Sequence, residues 1–234
     1  MATVSEASLR AEFKRALDLM QRKHEFNPPK FEVISRTEFE RRNREAGANL
    51  EGYVPTAYYH PAFHAIEAII EKIPEDRPQR VFIMMHETGH AIEFGINPNL
   101  IPPNPFGQVS ESLHVSRIIC EGMADALAYD AADGNNYLKP FVKGLISDRE
   151  NELRKIKSII GYERNNLVCF ARQVASERFY RHILGHQFWA DNRRVGYRTA
   201  IESPAANFEE LLAPGVYKTR LRKEGKISFM ASLL

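Results

Sequence analysis

The amino-acid sequence predicts an α+β fold, with one small sheet among helices and a mainly helical C-terminal part. Three observations point there. Apolar residues recur at helical spacing over long stretches, as in Leu9, Phe13, Leu17 and Met20. Residues 52–70 instead gather Tyr, Val, Ile and Phe between glycines and prolines, the composition of strands. No repeat or low-complexity linker interrupts the 234 residues, so we expect residues 1–130 to form a core of N-terminal helices and sheet, continuous with a helical subdomain over 131–234.

Taken in order, an amphipathic helix is expected over residues 5–24, with Ser5 or Ser8 as cap and Asn27-Pro28-Pro29 as its stop. A polar helix, solvated along its charged face, should cover Arg36–Glu45 and end at Gly47. Strands follow in 52–70. Pro55 and Pro61 make the first of them an edge or interrupted strand, because proline donates nothing to a central ladder. An extended peptide can add to such an edge. A helix after Pro78 should end at Gly95, before the Pro/Asn-rich loop 97–108, which we place near the site. The next helix should start near Ser110 or Ser112 and run to Leu127 or Tyr129. Residues 138–212 read as helices broken at Gly144, Gly161, Gly185 and Pro204.

Charge narrows the function. With 32 basic and 30 acidic residues the formal net charge is +2, so neither a nucleic acid nor an anionic membrane is expected as partner. The charge runs at 41–45 and 218–226 read as solvated surface. Cys120 and Cys169 lie in apolar helical patterns with no metal-type spacing and read as reduced core thiols. The charged N-terminus lacks a secretory pattern and no apolar run is long enough to span a bilayer. A soluble, cytoplasmic protein is the expectation.

The chemistry concentrates in His86-Glu87-Thr88-Gly89-His90. Histidines four apart on a helix share a face, one turn from each other, and both can reach one ion. Glu87 points to a neighbouring part of that face, where a carboxylate can take a proton from a water held by the metal. The apolar run 81–85 just before the motif is that of a buried helix.

Zinc held by two histidines needs a third protein ligand and an open position for water. Glu121 is the choice. It stands with Asp125, at i and i+4, in the apolar helix segment 118–130, and two buried carboxylates require a cation or donors. A zinc ion on Glu121, with Asp125 supporting the free ring nitrogen of His86 or His90, would satisfy both. Gly122 and Ala124 are expected to let this helix approach the one carrying His86 and His90 closely.

HExxH followed on a later helix by ExxxD resembles the gluzincin branch of the zincin metallopeptidases, over residues 52–129. The resemblance implies a zincin-like fold, with a small mixed sheet whose edge strand holds extended peptide substrates over the active-site helix. It implies one Zn2+ per chain on His86, His90 and Glu121, with Glu87 as general base and Asp125 behind the ligands. The activity implied is hydrolysis of peptide bonds in a peptide or protein substrate. The alternative is a non-catalytic zincin-fold protein that binds a peptide or regulatory partner. Glu93 and Pro98 do not supply the HExxHxxGxxH extension of metzincins, so a third histidine ligand is not expected.

A developing oxyanion calls for a donor beside the metal. His114, seven residues before Glu121, fits that role or that of a capping or surface histidine. Tyr217 can return to the cleft or pack in the core. His182 and His186 share a helix face but lack a nearby acid or cysteine at ligand spacing.

Overall fold

The computed structural model describes residues 4–45, 54–100, 110–161 and 163–228. Gly52 and Tyr53 of the predicted strand region, and residues 101–108 of the Pro/Asn-rich loop, lie outside them. The described residues are mostly helical with a three-stranded mixed sheet, an α+β arrangement. They form two compact units. The first takes in the chain to Gly95 and Leu127–Val142, and the second takes in 96–100, 110–126 and 143–228.

The first unit opens with α1, Glu6–Gln21, capped by Ser5, whose hydroxyl accepts a bond from the Ser8 N–H at 3.2 Å. One face buries Leu9, Phe13, Ala16, Leu19 and Met20, the helical stripe read above shifted by one residue at Ala16. Within that stripe Glu12 is 1% exposed and pairs with Arg80 at 2.7 Å. A short strand the sequence reading passes over, β1 (Lys30–Ile34), comes next, with Phe31 stacked on Phe13. Helix α2 spans Arg36–Glu45. Its charged face is not only solvated. Arg42 reaches Glu67, which is fully buried, at 2.6 Å, and Glu32 at 2.9 Å.

Strands β2 (Ala57–His60) and β3 (Ala65–Ile69) follow, joined by a turn that begins at Pro61. The sheet order is β1-β3-β2, with β3 parallel to β1 and antiparallel to β2. Every residue of β3 is buried, as a central strand requires, and β2 is an edge, as its flanking prolines predict. Helix α3 runs from Arg77 to Ile96, one residue past the expected stop at Gly95.

Helix α4, Glu111–Ala132, starts where Ser110 caps the Leu113 N–H at 3.3 Å, and it outruns its expected end by a turn. Along α4 the boundary between the units falls after Ala126.

In the second unit α5 (Lys139–Ile160) and α7 (Arg178–Asn192) run straight through Gly144 and Gly185, which are not breaks. Between them lies α6, Arg164–Val174, and Gly161 does end α5, at φ +84°. Gly185 is needed for contact. A Cβ there would lie 2.3 Å from the Ile118 carbonyl oxygen, and one on Gly122 would lie 2.2 Å from the Gly185 carbonyl carbon. Gly122 of α4 thus admits α7. Short helices α8 (Tyr197–Glu202), α9 (Phe208–Leu212) and α10 (Pro214–Lys223) complete a core that includes Ile118, Met123, Phe188, Phe208 and Tyr217. Cys120 is buried there, but Cys169 on α6 is exposed, contrary to its apolar surroundings in the sequence.

Candidate metal centre

Helix α3 sets both histidines of the motif on one face. The Nε2 atoms of His86 and His90 lie 3.1 Å apart, with the rings nearly perpendicular at 87°. Two imidazoles bound to one tetrahedral zinc, each Zn–N bond about 2.0–2.1 Å, place their nitrogens about 3.3–3.4 Å apart. The pair therefore presents close to the separation an ion needs.

A carboxylate stands behind one ring. His90 Nδ1 lies 2.8 Å from Glu93 Oε2, and Glu93 is fully buried. An ionised Glu93 there would accept from Nδ1–H and leave Nε2, the atom nearest His86, for a ligand. The sequence reading weighed Glu93 only as a departure from the metzincin pattern. Its i+3 spacing from His90 is the signal that points to this role.

Glu87, 3% exposed, turns toward the sheet. Its Oε2 accepts a bond from the backbone N–H of Tyr59 on β2 at 2.8 Å. Tyr59 is held at its other end as well, since its hydroxyl lies 2.8 Å from His64 Nδ1. Burial pushes that phenol up to about 12. Alternation explains the strand geometry. Thr56 accepts from Ile69 across the ladder, so Ala57 and Tyr59 turn their backbone groups to the open edge.

On the second unit Glu121 and Asp125 share a face of α4 beside His182 of α7. His182 Nδ1 is 2.9 Å from Asp125 Oδ2, and its Nε2 is 3.3 Å from Glu121 Oε2. Arg149 of α5 donates to Asp125 and lies 3.4 Å from His182 Nδ1. Neither partner was legible, because each lies on a different helix far along the chain and tertiary packing alone brings them in. The acid that His182 lacks at ligand spacing in its own helix comes from α4.

The remaining candidates lie elsewhere in that unit. His114 bonds the Ala175 backbone, and burial, with Arg117 and Arg181 nearby, depresses its pKa. Tyr217 is fully buried, its ring 5.2 Å from Phe188 and its hydroxyl donating to the Ser203 carbonyl at 2.8 Å. Tyr217 packs in the core, with its one proton already given to a backbone oxygen.

Buried histidine, glutamate and aspartate groupings among the described residues could hold a metal ion. Comparison with family models, curated proteins and solved structures gives no match. Among the described residues no helix is long and apolar enough to cross a membrane.

Proposed function

We propose that the chain is a zinc-dependent metallopeptidase of zincin-like fold. His86, His90 and Glu121, one of the ligand-type groupings its described residues can form, would hold one zinc ion, and Glu87 is the general base. The observation that carries this reading is the His86–His90 pair, with Nε2 atoms 3.1 Å apart and Glu93 2.8 Å from His90 Nδ1.

The helical spacing agrees. Phe82 of α3 stacks on Tyr129 of α4 at 5.6 Å. The proposal requires an antiparallel course from that contact. Steps of four residues then lead from Phe82 to His86 and His90 on one helix, and from Tyr129 to Asp125 and Glu121 on the other.

A zinc ion held there would polarise a water and bring its pKa to about 7. Glu87 would accept a proton from such a water at its carboxylate and hand it to the leaving nitrogen. The Tyr59 N–H orients the Glu87 carboxylate for both transfers. The Tyr59 carbonyl and both backbone groups of Ala57 face the open edge of β2, where an extended peptide can pair.

The test is zinc stoichiometry by elemental analysis, together with cleavage of an unfolded protein such as casein. One zinc per chain is expected in the wild type, lost in His86→Ala, His90→Ala and Glu121→Ala. Glu87→Gln should keep its zinc and lose at least about a hundredfold in turnover. Undiminished cleavage by Glu87→Gln, or no zinc in the wild type after supplementation, overturns the reading.

A further inference from the structure

We propose that His64 is a positioning residue for the Glu87 carboxylate, acting through Tyr59. Its bearing on catalysis rests on Glu87 being the general base, as argued above. His64 stands in the turn between β2 and β3, and each of its ring nitrogens has a partner. Nε2 lies 3.1 Å from the Asn27 carbonyl oxygen, and Nδ1 lies 2.8 Å from the Tyr59 hydroxyl. A carbonyl oxygen only accepts, so Nε2 carries the proton and Nδ1 accepts from the phenol. A neutral imidazole satisfies both contacts. Burial keeps the phenol protonated, pushing it up to about 12.

The backbone of the turn fixes the ring in place. Among the described residues His64 is the one non-glycine residue at positive φ, with φ 46° and ψ 54°. An L side chain keeps this left-handed conformation only where its surroundings hold it. Here the His64 N–H donates to the Pro61 carbonyl at 3.2 Å, and the His64 carbonyl accepts from the Lys30 N–H at 2.9 Å. Ring and backbone together thus tie Tyr59 to the segment that enters β1. Tyr59 is buried, and its ring also meets Phe94 of α3 with centroids 6.0 Å apart. The same residue gives its backbone N–H to Glu87 at 2.8 Å. An edge strand is paired on one side alone, so the side-chain anchor sets how closely that N–H meets the carboxylate.

Amide exchange in the full chain reads the effect. The Tyr59 N–H faces away from β3, so its protection reports the bond to Glu87. The Ile69 N–H, bonded to the Thr56 carbonyl across the ladder at 2.9 Å, reports the sheet. Glycine suits the left-handed turn, so His64→Gly removes the ring and keeps the backbone. Tyr59→Phe removes only the hydroxyl. In each variant exchange at residue 59 should quicken about three- to tenfold, the effect of one hydrogen bond, with Ile69 unchanged. The kcat for casein cleavage should fall by a similar factor, with KM and zinc content unchanged. Combining the two substitutions should add nothing, since both break the same bond. Asparagine tolerates the left-handed region and its Oδ1 takes the place of Nδ1, so His64→Asn should stay within about twofold of wild type.

Exchange at residue 59 equal to wild type in His64→Gly overturns the proposal. So does a quickening that Ile69 shares equally, which marks a general loosening of the sheet. A wild type that cleaves nothing overturns the general-base reading instead, and exchange at residue 59 still decides the hold of His64 on Glu87.

Discussion

Glu87 on α3 and Tyr59 on the edge strand β2 are joined by a 2.8 Å hydrogen bond from the Tyr59 backbone N–H to the carboxylate. The donor belongs to the open side of the strand, so it can be deleted without breaking the ladder to β3. Tyr59→Pro does this. A hydrogen bond to a charged group contributes about 1.5–3 kcal/mol, so peptide hydrolysis should fall about ten- to a hundredfold while zinc stays bound. Unchanged turnover in a folded Tyr59→Pro protein would show that Glu87 needs no support from the sheet.

The crossing of α4 and α7 yields a stability prediction with an internal control. A Cβ at Gly185 would lie 2.3 Å from a backbone oxygen and 2.6 Å from the Gly122 backbone nitrogen, which no rotamer change can relieve. Gly185→Ala should cost about 3 kcal/mol or more and lower Tm by roughly 6 °C or more. Gly144→Ala, with nothing within 4 Å in the middle of α5, should stabilise by about 0.5–1 kcal/mol. Thermal unfolding of both variants checks the pair, and equal effects would contradict the crossing.

Arg80 and Glu12 make a second test. The guanidinium bonds both carboxylate oxygens, at 2.7 and 2.8 Å, and the Pro74 and Glu75 carbonyls at 3.0 and 2.6 Å. Arg80→Met leaves a buried Glu12 with the exposed Arg77, 3.3 Å away, and the Ser8 hydroxyl, 3.4 Å away. The loss should be about 3–5 kcal/mol in denaturant unfolding. Replacing both residues, Glu12→Leu with Arg80→Met, should recover most of it, because an apolar pair leaves no charge uncompensated. A double variant no better than the single one would count against that account.

His24 supplies a pH dependence. It lies 3.4 Å from the Leu127 carbonyl and 3.7 Å from the Asp130 carboxylate. Burial lowers its pKa below 6.5, outweighing Leu127 and Asp130, which raise it, while Lys23 lowers it further. The unfolded chain therefore takes up the proton first as pH falls. The contribution to stability is full above about pH 6.5 and is lost as pH falls below it, by at most about 1.4 kcal/mol per pH unit. His24→Gln should show a shallower decline in stability than wild type between pH 7 and pH 5, and parallel curves would rule the effect out.

Local information made much of this protein legible. The spacing of His86, Glu87 and His90 is a property of one helix, and so is that of Glu121 and Asp125. The sequence determines these placements as soon as the segments are helical. The edge position of β2 was readable for the same reason, since Pro61 and Pro55 remove backbone donors whatever the rest of the chain does. Strand β1 was missed because five residues with only Ile34 fully buried carry little periodicity.

Tertiary structure decided everything that depends on which helices meet. Gly185 reads as a helix break by composition, yet it serves as the contact point of α7 with Gly122, because close backbone approach selects glycine just as a turn does. Arg42 reads as solvated charge, yet a fully buried Glu67 draws it in, because a carboxylate out of water must be paired. His182, 57 residues beyond Asp125, reaches both acids of α4. Periodicity specifies the face of a helix and says nothing of its partner. The partner is chosen by packing between segments distant in the chain, and the surroundings of the candidate ligands come from that packing.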